Sequence, residues 1–227
     1  MTELYCFPHS GGLAHQLRPL AGALAPLTYR GVDYPRAEAW GSPPGSVREF
    51  VAGRLRDQEA ADTGEAPLLY GHSLGGLVAF ETALQLERRG TPAAGVVIAA
   101  GVPGDGVPRP ARVDARTCTD DELFTWSFGT VRDRRPTPAD REVFAAFAPR
   151  LRRDLRLYGS YRPDGRLART PALLLLGTDD TVCPPGAWDR WAPYLTRPVR
   201  AEVDGGHMFH LDDPAATAAA VRNWRAV

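Results

Sequence analysis

The stretch from Leu68 to Phe80 limits what this chain can fold into more than any other part of the sequence. Leu68 to Tyr70 is typical of a short buried strand, and a helical pattern of apolar residues begins near Leu74. Between the two lies Gly71-x-Ser73-x-Gly75, the spacing of a nucleophile elbow. The flanking positions need glycine because a side chain there would collide with the strand or the helix. The pattern predicts a tight strand–turn–helix unit that exposes the Ser73 hydroxyl at the positive end of a helix.

Apolar runs that alternate with helical patterns predict an α/β fold with a mostly parallel central sheet, flanked by helices on both faces. The predicted strands are Leu4–Phe7, Leu27–Tyr34, Leu68–Tyr70, Gly95–Ala100, Ala172–Leu176 and Val199–Val203. The predicted helices are Leu13–Leu24, Val47–Ala60, Leu74–Arg89, Pro185–Trp191 and Pro214–Trp224. A chain of 227 residues is expected to form one domain, residues 1–227.

The alternation stops at Gly101, and the sequence from Asp114 to Tyr161 has helical patterns without a strand. One helix is predicted to begin near Thr119 or Asp120. A second begins near Thr137, with Val143, Phe144 and Phe147 on one face, and a third covers Pro149 to Tyr158. We interpret residues of about 103–165 as a helical insertion that forms a lid over the site. Its aromatic residues Trp126, Phe128, Phe144 and Phe147 are expected to line the channel that leads to the site.

Charge and composition exclude several classes of function. The chain has 27 basic and 27 acidic residues, and this zero net charge gives no indication of nucleic-acid binding. No apolar run approaches the roughly 20 residues that cross a bilayer, and the first residues do not resemble a signal peptide. The cysteines Cys6, Cys118 and Cys183 are odd in number and lack metal spacing. We expect reduced thiols in a cytoplasmic protein, no metal, no cofactor and a monomer.

Three candidate catalytic residues each follow a predicted strand, in the order serine, acid, histidine. Ser73 would be the nucleophile and His207 the general base, which is the chain order of the α/β-hydrolase triad. The acid would hold the imidazole in the required tautomer. Asp179 and Asp180 compete for this role, and Asp180 fits the spacing Gly-x-x-Asp-x-Val better.

An oxyanion hole needs two N–H donors. The N–H of Leu74, directly after the nucleophile, is one candidate, and the loop Pro8–Gly12 can supply the other because its glycines allow the backbone to turn toward a ligand. The remaining histidines are interpreted as non-catalytic. His72 packs within the elbow, His9 holds its loop by hydrogen bonds, and His15 and His210 line the site or lie at the surface.

Four motifs together resemble the type II thioesterases that accompany polyketide synthases and nonribosomal peptide synthetases. They are Phe7–Gly12, Gly71–Gly76, Pro149–Asp154 and Gly205–Phe209. The resemblance implies an α/β-hydrolase with a helical lid after the strand Gly95–Ala100. It implies hydrolysis of acyl groups from the phosphopantetheine arm of an acyl- or peptidyl-carrier protein. It places the nucleophile on Ser73, the acid on Asp180, the histidine on His207 and the oxyanion donors on Leu74 and Ser10.

The sequence departs from this family at Ser10, where a small alanine-like residue is usual, and at Met208, where an aromatic residue is frequent. Three alternatives stay open: an acyltransferase or cyclase with the same acyl-serine, a non-catalytic partner of the carrier protein, and a general ester hydrolase. The arginines of the insertion would either dock the carrier protein or form a solvated face; they are Arg132, Arg134, Arg135, Arg150, Arg152, Arg153 and Arg156.

Overall fold

The computed structural model of the protein describes residues 1–34, 45–58, 65–103, 114–131 and 135–225. Within them six parallel strands form one sheet in the order β2-β1-β3-β4-β5-β6. The strands are β1 Glu3–Phe7, β2 Thr28–Gly31, β3 Leu68–His72, β4 Gly95–Ala99, β5 Ala172–Gly177 and β6 Val199–Val203. The predicted α/β-hydrolase architecture is confirmed.

The described residues also form seven α-helices, which either cover a face of this sheet or lie in the insertion after β4. They are α1 Arg18–Ala23, α2 Val47–Gln58, α3 Leu74–Arg88, α4 Asp120–Val131, α5 Pro138–Ser160, α6 Phe209–Asp212 and α7 Pro214–Arg225. No helix in the described part of the chain has the length and apolar character needed to span a membrane.

The central strands are buried on both faces, as parallel strands are when helices cover them. Neighbouring side chains on a strand point to opposite faces, so the sheet separates two hydrophobic clusters. Leu69 and Leu174 face one cluster with Phe80 of α3 and Trp191, and the adjacent residues Leu68 and Leu173 face the other. The second cluster is closed by α1, α6 and α7 through residues that include Leu20, Phe209 and Val221.

The strand order places the site. β1 lies between β2 and β3, so the chain reverses its direction of travel across the sheet at β1, and open α/β sheets bind ligands at such a point. The elbow follows β3, and the loop Pro8–Gly12 follows the adjacent β1. The carboxyl ends of β5 and β6 add their loops at the same edge, which brings together the four loops that carry the predicted site residues.

Between β4 and β5 the described residues form α4 and α5, which we call the lid helices. The two helices predicted in residues 137–158 are a single helix, α5, with Pro149 inside it. This prediction was wrong because a proline costs one internal hydrogen bond, which the contacts of a long packed helix can offset. Leu123 and Phe124 of α4 pack with Phe144 and others of α5 in a hydrophobic cluster of their own. Val143 was expected beside Phe144, but it is 66% exposed.

Four further elements differ from the prediction in their type, their length or their presence. The helix predicted at Leu13–Leu24 is a 3-10 turn, Ala14–Leu17, followed by α1 with Pro19 near its start. Residues Pro185–Trp191 are also a 3-10 helix rather than the beginning of an α-helix. β2 is four residues long, at the edge of the sheet, and the short helix α6 was not predicted.

Candidate active site

The elbow has the strained geometry that its glycines permit. Ser73 has φ 55° and ψ −116°, a backbone conformation that costs a non-glycine residue about 1–3 kcal/mol. A Cβ on Gly71 would overlap the carbonyl of Gly75, and a Cβ on Gly75 would overlap the carbonyl of Phe7 in β1. The Ser73 N–H donates to the carbonyl of Ala99 at 2.7 Å. The turn is therefore fixed by its two neighbouring strands, and its serine stands at the first turn of α3.

Ser73, His207 and Asp180 form a continuous chain of side-chain contacts. His207 Nδ1 lies 2.9 Å from Asp180 Oδ2, and His207 Nε2 lies 3.3 Å from Ser73 Oγ. Because a carboxylate only accepts, Nδ1 carries the proton and Nε2 is free to accept one from the serine. The other Asp180 oxygen accepts the N–H groups of Val182 and Cys183, each at 2.8 Å. Asp179 is exposed, and its side chain lies near Thr178.

The loop between β1 and α1 lies beside this chain of contacts. The carbonyl of Pro8 accepts a hydrogen bond from the buried Tyr34 hydroxyl at 2.7 Å, and that of His9 accepts from the Gly12 N–H at 2.9 Å. The N–H of Ser10 has no acceptor among the described residues. Leu74 is the first residue of α3, so its N–H also lacks an intrahelical acceptor. Both predicted oxyanion donors are thus without an internal acceptor next to Ser73.

The family model described as Thioesterase domain matches residues 2–224. The chain belongs to the thioesterase family. This thioesterase is 33% identical over 223 residues to the protein named "Probable cadicidin biosynthesis thioesterase" of Streptomyces griseus. The alignment covers 93% of this chain and 60% of that protein, so the chain spans less than two thirds of that relative's length.

Solved structures agree with this assignment. The thioesterase superposes on "YbtT - Type II thioesterase from Yersiniabactin NRPS/PKS biosynthetic pathway" with a TM-score of 0.79 and 26% identity, covering 98% of this chain and 92% of that one. The RedJ thioesterase of the prodiginine pathway in Streptomyces coelicolor gives a TM-score of 0.82 at 23% identity, covering 100% and 85%, and supports the fold. The resemblance to type II thioesterases is confirmed.

Three further histidines of the thioesterase lie behind His207. His72 Nε2 donates to the main-chain carbonyl of His207 at 2.7 Å, which joins the elbow to the histidine loop. His210 stacks on His72 with ring centroids 3.6 Å apart, and His9 lies 5.5 Å from His210. His210 was expected to line the site or lie at the surface, but it is buried because the unpredicted helix α6 turns it inward. His9 holds its loop through its carbonyl; within the described residues its ring Nδ1 has no partner.

Burial keeps these three rings neutral. It lowers the pKa of His9 to about 4, with a smaller contribution from the charge of His207. Burial and the neighbouring histidines hold the pKa values of His72 and His210 well below the ordinary value. The ring of His72 that packs against His207 therefore carries no charge.

A cavity of about 1240 Å³ connects Ser73 and His207 with the lid helices. Its aromatic wall comes from α4 and α5 and includes all four residues that were predicted to line the channel: Trp126, Phe128, Phe144 and Phe147. Ser10 and Met208, the two departures from the family pattern, also line it. The space and its apolar wall suit an extended or bulky acyl chain.

The arginines of the insertion are mostly engaged within the protein. Arg132 and Arg134 lie outside the described residues. Arg152 pairs with Asp120, Arg153 pairs with Asp154, and the Nε of Arg156 donates to the carbonyl of Ala115. Arg150 is half-buried and lines the cavity, and the exposed Arg156 also lines it.

One group of side chains has the composition of a metal site: Asp180, Cys183 and His207, whose ligand atoms lie within 4.8 Å of one another. These ligand atoms already make hydrogen bonds within the protein. Asp180 bonds His207 and two N–H groups, and the Cys183 thiol donates to the carbonyl of Ala100 at 3.1 Å. The group fits a hydrogen-bonded catalytic arrangement better than a ligand set.

Two positions near the site were missed by the sequence analysis. Tyr34 was considered only as the end of a strand and the start of the loop Tyr34–Ala37, which departs from the family pattern, and Asp154 only as part of a motif. Asp154 is buried and accepts the N–H of Gly11 at 2.9 Å. The quoted motif Pro149–Asp154 was the available signal, although nothing in it shows which distant loop the aspartate contacts.

Proposed function

We propose that the protein hydrolyses acyl groups from the phosphopantetheine arm of an acyl- or peptidyl-carrier protein through an acyl-Ser73 intermediate. The observation that carries the proposal is the contact chain from Asp180 through His207 to Ser73, at the end of an apolar cavity. Membership of the thioesterase family supports the reaction class, and the named type II relatives support the carrier-bound substrate.

The first half of the reaction forms the acyl-enzyme. Ser73 Oγ attacks the thioester carbonyl carbon while His207 Nε2 takes the hydroxyl proton. The carbonyl oxygen becomes an oxyanion, which the N–H groups of Leu74 and Ser10 stabilise. The carbon–sulfur bond then breaks, and the leaving pantetheine sulfur receives the proton from His207. Asp180 stabilises the imidazolium and does not itself take a proton.

The second half repeats these steps with water as the nucleophile. His207 accepts a proton from water, the resulting hydroxide attacks the acyl carbon, and the same N–H groups hold the oxyanion. Collapse of this intermediate breaks the ester bond, returns the proton to Ser73 and releases the carboxylic acid. An editing role follows if the acids released come from stalled or unsuitable acyl groups on the carrier. We expect the reaction to take place in the cytoplasm, because three free cysteines without a pairing pattern are typical of reduced thiols.

The test follows acyl-loaded carrier proteins by mass spectrometry in water enriched in ¹⁸O. We expect loss of the acyl mass from the carrier and one ¹⁸O atom in the released acid. Ser73→Ala should lower turnover by about 10⁶-fold. Products without ¹⁸O, joined to another acceptor or cyclised, would show the acyltransferase or cyclase alternative. Full turnover by Ser73→Ala would contradict the proposed mechanism, and binding of the carrier without turnover would show a non-catalytic partner.

A further inference from the structure

Asp154 is a buried charge that joins the lid helix to the loop after β1. Its side chain is fully buried, and Oδ2 accepts the N–H of Gly11, 143 residues away in the sequence, at 2.9 Å. Oδ1 accepts from Nε and Nη2 of Arg153 at 2.9 and 2.6 Å. Because Arg153 is the preceding residue on the same helix, that ion pair cannot attach the helix to anything else. The bond to Gly11 is the contact that reaches another part of the fold.

The loop that receives this bond is held along its whole length. Tyr34 fixes the carbonyl of Pro8, and the Gly12 N–H fixes the carbonyl of His9. The carbonyl of His9 and the N–H of Ser10 belong to one planar peptide and point in opposite directions. The Gly11 N–H belongs to the next peptide, so the contact with Asp154 sets the rotation on the other side of Ser10. The orientation of the Ser10 N–H is fixed from both sides.

The same face of α5 also packs closely against this loop. Gly11 has φ +77°, and a Cβ on it would lie 3.3 Å from Cβ of Leu151 and 3.5 Å from the ring of Phe147. Phe147, Leu151 and Asp154 are spaced four and three residues apart, so they share one side of the helix. The loop is thus pressed against a helical face whose last member supplies its acceptor.

Placing the charged carboxylate of Asp154 away from water costs folding free energy, which argues that its contact with Gly11 serves a function. Burial raises the pKa of Asp154, and Arg153, the Gly11 N–H and the charge of Arg150 act in the opposite direction. A neutral acceptor such as asparagine could make the bond to Gly11 without burying a charge. The charge strengthens the hydrogen bond, since ionised acceptors bond about twice as strongly as neutral ones.

We propose that Asp154 is a positioning residue, which holds the Ser10 N–H in the oxyanion hole through the N–H of Gly11. The proposal rests on the proposed function, because it assigns Asp154 to the same oxyanion hole. It means that the lid helix contributes to catalysis as well as to the acyl channel. Displacement of the lid helix would loosen an oxyanion donor.

The test compares Asp154→Ala and Asp154→Asn with the native protein on an N-acetylcysteamine thioester, which needs no carrier. Removing one oxyanion donor costs about 10²–10³-fold in kcat, and a loosened donor should cost about 10- to 100-fold. We expect that loss for Asp154→Ala with little change in KM. Asp154→Asn should recover much of the rate, because its amide oxygen can still accept from Gly11.

A second readout separates positioning from general damage to the fold. A trifluoromethyl ketone thioether forms an oxyanion adduct with the catalytic serine, so its Ki should rise by the same factor as kcat falls. Asp120→Ala, which removes the exposed partner of Arg152 on the other lid helix, is the matched control and should change neither value.

Three outcomes would decide against the proposal. Unchanged kcat and Ki in Asp154→Ala would overturn it, and so would a loss in Asp154→Asn equal to that in Asp154→Ala. If Asp154→Ala fails to fold, the test uses Asp154→Asn alone. Its partial loss in kcat should then be matched by an equal rise in Ki, and a loss in kcat without a rise in Ki would overturn the proposal. Ser73→Ala is measured in parallel: if it retains full activity, the proposed function itself fails. If it is inactive while Asp154→Ala is native-like, only the role of Asp154 fails.

Discussion

The two sides of the cavity are built in different ways. We call the sheet side the floor: it consists of the elbow, the acid loop Gly177–Cys183 and the histidine loop Gly205–Phe209. Each part follows a strand of one sheet, and hydrogen bonds join the side chains of the proposed catalytic residues. The opposite side consists of the lid helices, whose apolar residues pack mainly on one another. The floor is thus fixed by the central fold, and the lid helices have a small core of their own.

The helix α5 belongs to both sides. Its first half packs on α4 through Phe144 and Ala148. Its second half is attached to the rest of the fold, since the Tyr158 hydroxyl donates to the carbonyl of Val102, and directly after the helix the Tyr161 hydroxyl donates to the buried Glu81. From this difference we expect the floor to set the rate of the chemical steps. We expect α4 and the first half of α5 to select the acyl group.

The largest effect is expected from the acid of the floor. Asp180→Asn should lower kcat by about 10⁴-fold, because the amide can stabilise the wrong imidazole tautomer. Asp179→Asn is the matched control, adjacent in sequence but exposed, and should stay within about twofold of the native rate. Steady-state kinetics on a small thioester measure both. A severe loss in Asp179→Asn with a mild one in Asp180→Asn would reverse the assignment.

Acid should destabilise the floor and its surroundings in particular, since His72 lies in the elbow, the rings of His9 and His210 pack beside it, and the lid helices contain no histidine. Their pKa values are lowered in the folded protein, so the unfolded chain binds the protons as the pH falls below about 6.5. The free energy of unfolding should fall by about 4 kcal/mol per pH unit between about pH 6 and 5.

Substitution of one ring tests that estimate. His210→Leu should reduce the slope by about 1.4 kcal/mol per pH unit, whereas the exposed His15→Leu should leave it unchanged. Urea unfolding at pH 7, 6 and 5 measures the slope. Equal slopes in His210→Leu and the native protein would show that His210 does not contribute to acid sensitivity.

The lid helices should control preference rather than rate. Phe128→Ala enlarges the cavity, so kcat/KM for a decanoyl thioester relative to a butanoyl one should rise by about tenfold. Turnover of an acetyl thioester should stay within about threefold. Trp188→Ala removes a half-buried aromatic residue that does not line the cavity, and it should not alter the ratio. An unchanged ratio in Phe128→Ala would remove that residue from the acyl channel.

The smallest effect is expected at Arg150. If it attracts the phosphate or the acidic surface of a carrier, Arg150→Glu should raise KM for an acyl-carrier protein by about fivefold and weaken its salt dependence. KM for the carrier-free thioester should not change. Arg200→Glu, on the edge strand β6, is a control of equal charge change. Equal losses on both substrates would mean that Arg150 supports the fold.

The sequence was sufficient for the features that depend on local patterns. The elbow, the parallel strands and the order of Ser73, Asp180 and His207 could be predicted because glycine spacing and apolar runs act over a few residues. Contacts across the fold could not be predicted in this way. The bond from Asp154 to Gly11 joins residues 143 positions apart, and the burial of His210 depends on α6 packing against the sheet. The continuity of α5 through Pro149 likewise depends on its packing partners.

The central claim, an acyl group carried on Ser73, is tested most directly by trapping it. The protein is mixed with an acyl-loaded carrier protein, quenched in acid within milliseconds and digested for peptide mapping by mass spectrometry. We predict that the acyl mass appears on Ser73 of the native protein and is absent from Ser73→Ala. An adduct on another residue, such as Cys183, or turnover of the carrier without any adduct on Ser73, would contradict the account.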